Sequence, residues 1–489
     1  MRDMKVTRLL SIGIVLLTAP LALAAARWDF TDQTLDNGLR VIVMEDHSSP
    51  IVAIQVWYHV GSKDEKPDRT GFAHMFEHMM FRGTDRIGPE DHFKYLRRFG
   101  GEVNGFTAFD QTAYIQEVPS NQVDLTFWLE AERMANLKIN EEYFHTERDV
   151  VKEEYRLGVT DPPYGTIAEK ALAFLFTTHP YRWSPIGNLD HLNAATADEL
   201  QVFFDTYYVP NNAVLVVVGD VTSSEVVSKA KRYFGWIPRS PDPPRVTIRE
   251  PKVTEPRRIV IPETKGPLPI VGLGYHVCPA NHPDRHALAI LDYVLSGGES
   301  GRVYKKLVKD LELAVYALSG TFGLEQGGLW VLGAVVKMGV DPADVEAALI
   351  GELDAVLADG ITEQELEKAR NQVGAKAVLE RMTVGGKAQK LGFAAVVQGD
   401  INQVNQEYDD LMSVTRDDVL RVARDYFAPE SRMTLVVKPE SFTAKALDFF
   451  GKAFGGKDKK KEAAKKGSGE QDEPPAPTTP DKEPNKVTP

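Results

Sequence analysis

The sequence predicts an α+β protein made of two homologous α/β sandwich domains, each an antiparallel-rich sheet with helices packed on it. Three observations lead there. The chain has 489 residues, too many for one ordinary core. It contains an internal duplication. Within a repeat, strands of period two bunch at hairpin spacing and the helical stretches are segregated, which favours a sandwich over a doubly wound sheet.

The duplication rests on two matches. TADELQVFFDTYYVP (Thr196 to Pro210) aligns without a gap to TRDDVLRVARDYFAP (Thr415 to Pro429), 219 residues later. Each carries an Asp two residues after the Thr and each runs on into an apolar strand, AVLVVVGD from Ala213 and MTLVVKP from Met433. Upstream, VAIQVWYHV ends at Val60 and VGLGYHV ends at Val277, an offset of 217. The domains are therefore expected over 25–238 and 257–450. The linker is Arg239 to Pro256, a stretch with five prolines.

Inside the first repeat, apolar alternation predicts a strand pair, Leu39–Met44 and Val52–Val60. Helical periodicity follows over His74–Phe81 and His92–Phe99. A second strand pair covers Glu102–Phe106 and Gln111–Val118, and long helices fill Val123 to Leu157. His59 and His276 occupy matching repeat positions, which argues for packing roles.

Composition excludes several classes. Hydrophobic residues make up 43% and charged residues 26%, so whole-chain disorder, a fibre and a polytopic membrane protein are set aside. One cysteine, Cys278, allows no intrachain disulfide and reads as a buried, inert thiol. The net charge is −13. Each end carries a net +2, from Arg2, Lys5 and Arg8 against Asp3, and from nine Lys against seven acids beyond Gly451, which leaves about −17 on the body. Such a body is not expected to bind nucleic acid through its phosphates, which needs basic surface.

The two ends stand outside the expected fold. A basic start, an apolar run from Leu9 to Leu23 and small residues give 1–24 the layout of a signal peptide, with cleavage after Ala24 or Ala26. The run contains Pro20 and falls short of the roughly 20 residues of a membrane span. The expectation is export, to a bacterial periplasm, with no stable membrane span. The segment 451–489 is Lys-rich, then Pro-rich, and is expected to be a disordered tail.

The chemistry is concentrated in GFAHMFEHMMFRGTD, Gly71 to Asp85. His74 and His78 are four apart and share a helix face, with Glu77 beside them. Two imidazoles on one face can bind one Zn²⁺, and a neighbouring carboxylate can then deprotonate its water. The order His-x-x-Glu-His is the inverted zinc motif. At the 217 offset the second repeat has Leu291, Val294 and Leu295 in place of these three, so the fold does not require them. A carboxylate for a third ligand lies in HTERDVVKEEYR, where Glu147 and Glu154 are seven apart and share a face.

These segments resemble the pitrilysin family of zinc peptidases, in particular its single-half members akin to the mitochondrial processing peptidase. The resemblance covers about Trp28 to Phe450. It implies one zinc per chain held by His74, His78 and Glu154, with Glu77 as general base on a zinc-bound water and Glu147 as a supporting catalytic acid. Glu153 is the alternative third ligand. It further implies that EVNGFTAFDQTAY, from Glu102, is the strand beside the zinc, with Asn104 meeting the substrate backbone. SGGESGRVYKKLVKDLELAVYAL, from Ser296, resembles the family's glycine-rich turn and helix, where Arg302 and Tyr304 read as structural.

One departure bears on partners. Double-length members place an Arg and a Tyr from their last domain near the substrate, on or after the strand that corresponds to Leu329–Val336. This chain has neither residue from Ala317 to Ala369. The resemblance then implies a heterodimer with a related subunit that lacks the zinc motif and supplies that pair. The expected activity is hydrolysis of short or unfolded peptides; the alternative is a non-catalytic structural or binding subunit of the same fold.

Overall fold

The computed structural model describes residues 27–440. The expected leader 1–24 and tail 451–489, and the last ten residues of the expected second domain, lie outside the described residues. The chain divides into a unit ending at Pro439 and one beginning at Glu440; the first is described below.

Two sheets repeat one plan. The first contains β1 (Thr31–Thr34), β2 (Arg40–Glu45), β3 (Ile51–Tyr58), β4 (Glu102–Thr107), β5 (Thr112–Pro119) and β6 (Ala213–Gly219), in the order β1-β2-β6-β3-β5-β4. The second contains β7 (Arg257–Glu263), β8 (Ile270–Val277), β9 (Ala314–Leu324), β10 (Gly327–Val336) and β11 (Met433–Pro439), in the order β7-β11-β8-β10-β9. In each sheet one pair is parallel, β2 with β6 and β7 with β11, and the rest are antiparallel.

The strand segments lie where alternation predicts them, with one correction to their pairing. β2 and β3 are not a hairpin: β6, some 155 residues downstream, inserts between them. All seven β6 residues are buried, so a central position on both sides is the only one that hides them. The stretch 239–256, expected as a linker, carries neither helix nor strand.

The helices of the first repeat are α1 (Phe72–Met79), α2 (Asp91–Arg98), α3 (Val123–Asn136), α4 (Glu141–Tyr155), α5 (Ile167–Leu175), α6 (Leu189–Ala194), α7 (Ala197–Tyr207) and α8 (Ser223–Phe234). Those of the second are α9 (Asp284–Ser296), α10 (Pro342–Asp359), α11 (Glu363–Glu380), α12 (Val384–Val396), α13 (Gln403–Ser413) and α14 (Arg416–Tyr426). The matched Thr residues of the repeat are N-caps. Thr196 opens α7 with a capping box to Glu199, and Thr415 opens α14 with one to Asp418. The third position after the Thr does the capping, not the second.

The repeats exchange helices. α12 of the second repeat lies on the face of the first sheet that carries Ile42, Ala53, Trp57, Val214, Val216 and Val218. In return α5 of the first repeat covers the second sheet near Ile261, Leu435 and Val437. The two helices start at Ile167 and Val384, separated by the same 217 residues as the strands. Each sheet therefore has one face buried by its own helices, while a helix of the neighbouring repeat covers part of the other. The matched histidines follow suit: His59 bonds Glu325 of the second repeat, and His276 bonds the Leu175 carbonyl of the first. Cys278 is free and buried, and burial pushes its thiol up to about 11, so it is inert.

Candidate active site

The site is built on α1. Phe72, Met75, Phe76 and Met79 point into the core, where Phe76 stacks on Phe203 with ring centroids 5.8 Å apart. The opposite face presents His74, Glu77 and His78. The helix begins at Gly71, whose φ of 98° suits glycine, and where a Cβ would lie 3.0 Å from the Ile186 carbonyl. Gly71 offers no capping side chain. Glu65 supplies one from a distance: its two oxygens accept the Gly71 and Ala73 amides at 2.9 and 2.8 Å.

α4 brings the carboxylates. Asn140 caps it by accepting the Tyr143 amide, and Glu147 and Glu154 then lie on the face towards α1. A Glu154 oxygen lies 3.6 Å from His74 Nε2 and 3.2 Å from His78 Nε2. Ligand atoms of the three residues all lie within 4.8 Å of one another. Among the described residues no other His/Cys/Asp/Glu group gathers so closely. Glu153 points elsewhere, with Oε1 2.6 Å from Arg156.

His78 is held from both sides. Its Nδ1 lies 3.2 Å from Glu147 Oε2, and Glu147 in turn accepts from Arg82 Nε. Burial pulls the His78 imidazole down, but the two carboxylates outweigh it and push it up to about 9. His74 goes the other way: burial, then the neighbouring His78 charge, lowers it to about 4. Its Nδ1 is buried without a partner among the described residues. One neutral imidazole, one imidazole kept cationic by two acids, and a carboxylate thus converge. A divalent cation fits this donor set, because it would satisfy the carboxylates in place of the His78 proton. The Glu147–His78 contact is the outer-sphere support such a ligand uses.

Glu77 lines the same cavity without joining the cluster. Burial raises its carboxyl above the ordinary range, while hydrogen bonds with Thr107 oppose the rise. Room for it comes from Gly105, where a Cβ would lie 3.2 Å from Glu77 Cγ. The cavity, about 530 Å³, is bounded by Glu77, His78, Phe81, Arg82, Asn104 and Glu147 among others. Its floor is the edge strand β4, which pairs only with β5, so its outer edge is unpaired within the described chain. Asn104 is exposed on that edge, and its Oδ1 accepts the Gly105 amide at 3.0 Å.

In the second repeat Leu291, Val294 and Leu295 are buried on α9, so the matching face is core. Arg302 grips Glu365 through two contacts of 2.5 and 2.6 Å and the Gly360 carbonyl, a structural arrangement. Sequence reasoning assigned no role to Arg82 or Glu65. Arg82 lies inside the motif segment but beyond the end of α1, where helical spacing no longer predicts its direction. Glu65 carries no local signal, because a cap from six residues away is visible only in the fold.

Comparison with known proteins gives the family of the chain. The pattern of the family described as insulinase (peptidase family M16) matches residues 40–172. That of the peptidase M16 inactive domain matches residues 194–373. The zinc protease PqqE of Helicobacter pylori is 30% identical over 446 residues, covering 90% of this chain and all of that protein. The probable mitochondrial-processing peptidase subunit beta of Arabidopsis thaliana is 25% identical over 404 residues, covering 80% of this chain and 75% of that one. A crystal structure of a protease from Helicobacter pylori superposes with a TM-score of 0.82 at 29% identity, over 85% of this chain and all of that chain. With an inverted zinc motif in one repeat and an apolar copy in the other, this chain belongs to peptidase family M16, the insulinase or pitrilysin family of zinc proteases.

Proposed function

We propose that this chain is an exported zinc-dependent endopeptidase acting on short or unfolded peptides, and that a related subunit completes its site. The observation that carries the reading is the convergence of His74, His78 and Glu154 beside a Glu77 that faces the same cavity but stays out of the cluster.

His74, His78 and Glu154 would hold one Zn²⁺, which when bound acts as a Lewis acid on the scissile carbonyl and makes water more acidic. Glu147 keeps the Nδ1 proton of His78 and so leaves Nε2 facing the cluster. The unpaired edge of β4 receives the substrate backbone as an added strand, with Asn104 among its contacts. Glu77 takes a proton from the attacking water at its carboxylate and delivers it to the leaving amine. Its raised pKa suits it to both directions of that transfer.

Export rests on the leader-like segment 1–24. No helix among the described residues is long and apolar enough to cross a membrane. The partner rests on the lack of Arg and Tyr over 317–369. The test is mass-spectrometric: the purified chain, alone, is incubated with a mixture of unfolded peptides and zinc. Cleavage by the chain alone removes the need for a partner. No cleavage, followed by cleavage once a co-purifying related subunit is added, supports the full reading. No cleavage in either case favours a non-catalytic subunit.

A further inference from the structure

The repeat without the motif touches the repeat that has it at one densely polar point. The tip of the β9–β10 hairpin, Glu325 and Gln326, enters a socket formed by the first repeat. Glu325 Oε2 lies 2.8 Å from Lys63 Nζ and 2.8 Å from His59 Nε2. The Glu325 amide donates to Asp110 Oδ2 at 3.0 Å, and Lys63 Nζ is 3.2 Å from Asp110 Oδ1. Tyr181 OH donates to Asp110 Oδ1 at 2.6 Å and accepts the Gln326 amide at 3.1 Å. The side chain of Lys63 is 1% exposed and that of Asp110 2%. A buried ammonium among carboxylates has one low-energy place to sit, so this contact fixes its neighbours sharply.

Those neighbours frame the active site. Lys63 belongs to a short turn, Ser62–Asp64, and Glu65, the distant cap of α1, follows at once. The same turn is stitched to the loop after β4, since the Ser62 and Lys63 amides donate to the Ala108 and Phe109 carbonyls at 3.1 and 3.0 Å. Asp110 lies on that loop. The hairpin tip thus bears on the metal-binding helix through Glu65 and on the substrate-facing strand through Asp110.

We infer that Glu325 is a positioning residue: the motif-free repeat holds α1 in register through Glu325, Lys63 and the Glu65 cap. The inference rests on the reading of α1 as the metal-binding helix. Repeat two then has a task at the site although it brings no group to it. Loss of a group bonded directly to a metal ligand weakens affinity by roughly 10- to 100-fold, and Glu325, which acts at one remove through the helix cap, is expected at the low end of that range.

Hydrogen exchange with mass-spectrometric readout tests this on the full chain, alongside zinc affinity by competition with a chromophoric chelator. Glu65→Ala removes the cap, Glu325→Ala removes the strut, and Gln326→Ala removes the same tip's contacts with His179 and the Val246 carbonyl. Glu325→Gln replaces the alanine variant if that does not fold. The expected result is exchange over 71–79 about tenfold faster, and zinc binding about tenfold weaker, in the Glu65 and Glu325 variants. In Gln326→Ala both stay within about twofold of the parent. Unchanged exchange over 71–79 in the Glu325 variant overturns the inference, as does an equal effect from Gln326→Ala. Neither readout needs peptide cleavage, so a parent that cleaves nothing counts against the proposed activity alone.

Discussion

His78 Nδ1 lies 3.2 Å from Glu147 Oε2, and that contact decides which nitrogen of the ring faces the cluster. A carboxylate on one side of an imidazole fixes its tautomer and raises its basicity on the other. Glu147 is itself buried and held by Arg82, so it cannot swing away.

Glu147→Gln should therefore weaken zinc by roughly 10- to 100-fold while the fold survives, because in the proposed site Glu147 would support the ligand His78 without being one. Chelator competition and circular dichroism read the two effects. Glu153→Gln, at an exposed carboxylate paired with Arg156, should leave affinity within about twofold.

Gly105→Ala should lower kcat with little change in Tm. The added methyl would sit 3.2 Å from Glu77 Cγ and 3.6 Å from the Phe81 ring, so Glu77 must shift by a few tenths of an ångström. Small displacements of a reacting group cost about tenfold or more in rate. Steady-state kinetics on a cleavable peptide, with thermal denaturation of the same sample, separates the effects.

Trp57→Ala should destabilise the chain by about 3–5 kcal/mol. Trp57 is 1% exposed, stands edge-on to Phe106 and lies so close to Gly392 of α12 that a Cβ there would come within 2.3 Å. Its loss opens the seam where α12 of one repeat covers the sheet of the other. By the same reasoning residues 27–238 alone would expose Ile42, Val214, Val216 and Val218. Chemical denaturation of the variant, and the solubility of the fragment, check these statements.

Arg302 and Glu365 predict an acid-sensitive part of the stability. Burial pushes the Glu365 carboxyl up, but Arg302 and Thr362 outweigh it and lower it to about 2, below its ordinary 4.5. A carboxyl depressed in the folded state stabilises above its unfolded value, and that gain is lost as pH falls from about 4.5 towards 2. The parent should lose stability over that window more steeply than Glu365→Gln, measured by urea midpoints against pH. Peptidase activity per folded molecule at neutral pH should be equal in both.

Much of this was legible in the sequence, for identifiable reasons. His74, Glu77 and His78 lie within one helical turn, so local spacing alone places them together. The seven-residue spacing shows that Glu147 and Glu154 share one helix face, and the family resemblance, not the spacing, implies Glu154 as the third ligand. The strands β2 to β6 follow from alternation and β8 and β11 from the shared offset, whereas β1, β7 and β9 are marked by neither. What local pattern could not give was non-local. The insertion of β6 between β2 and β3 depends on a strand some 155 residues away. The exchange of α5 and α12 leaves no mark on either helix, since an apolar face reads the same whichever sheet it covers. Glu65 and Lys63 look like ordinary loop charges until the fold buries them against Gly71 and Glu325.

The most direct test of the central claim is diffraction at the zinc absorption edge from crystals of the zinc-loaded chain. One anomalous peak is expected about 2.0–2.2 Å from a nitrogen of His74, His78 Nε2 and an oxygen of Glu154, with Glu77 beside it but not coordinating. No peak between α1 and α4, or one coordinated by Glu153 instead of Glu154, would contradict it.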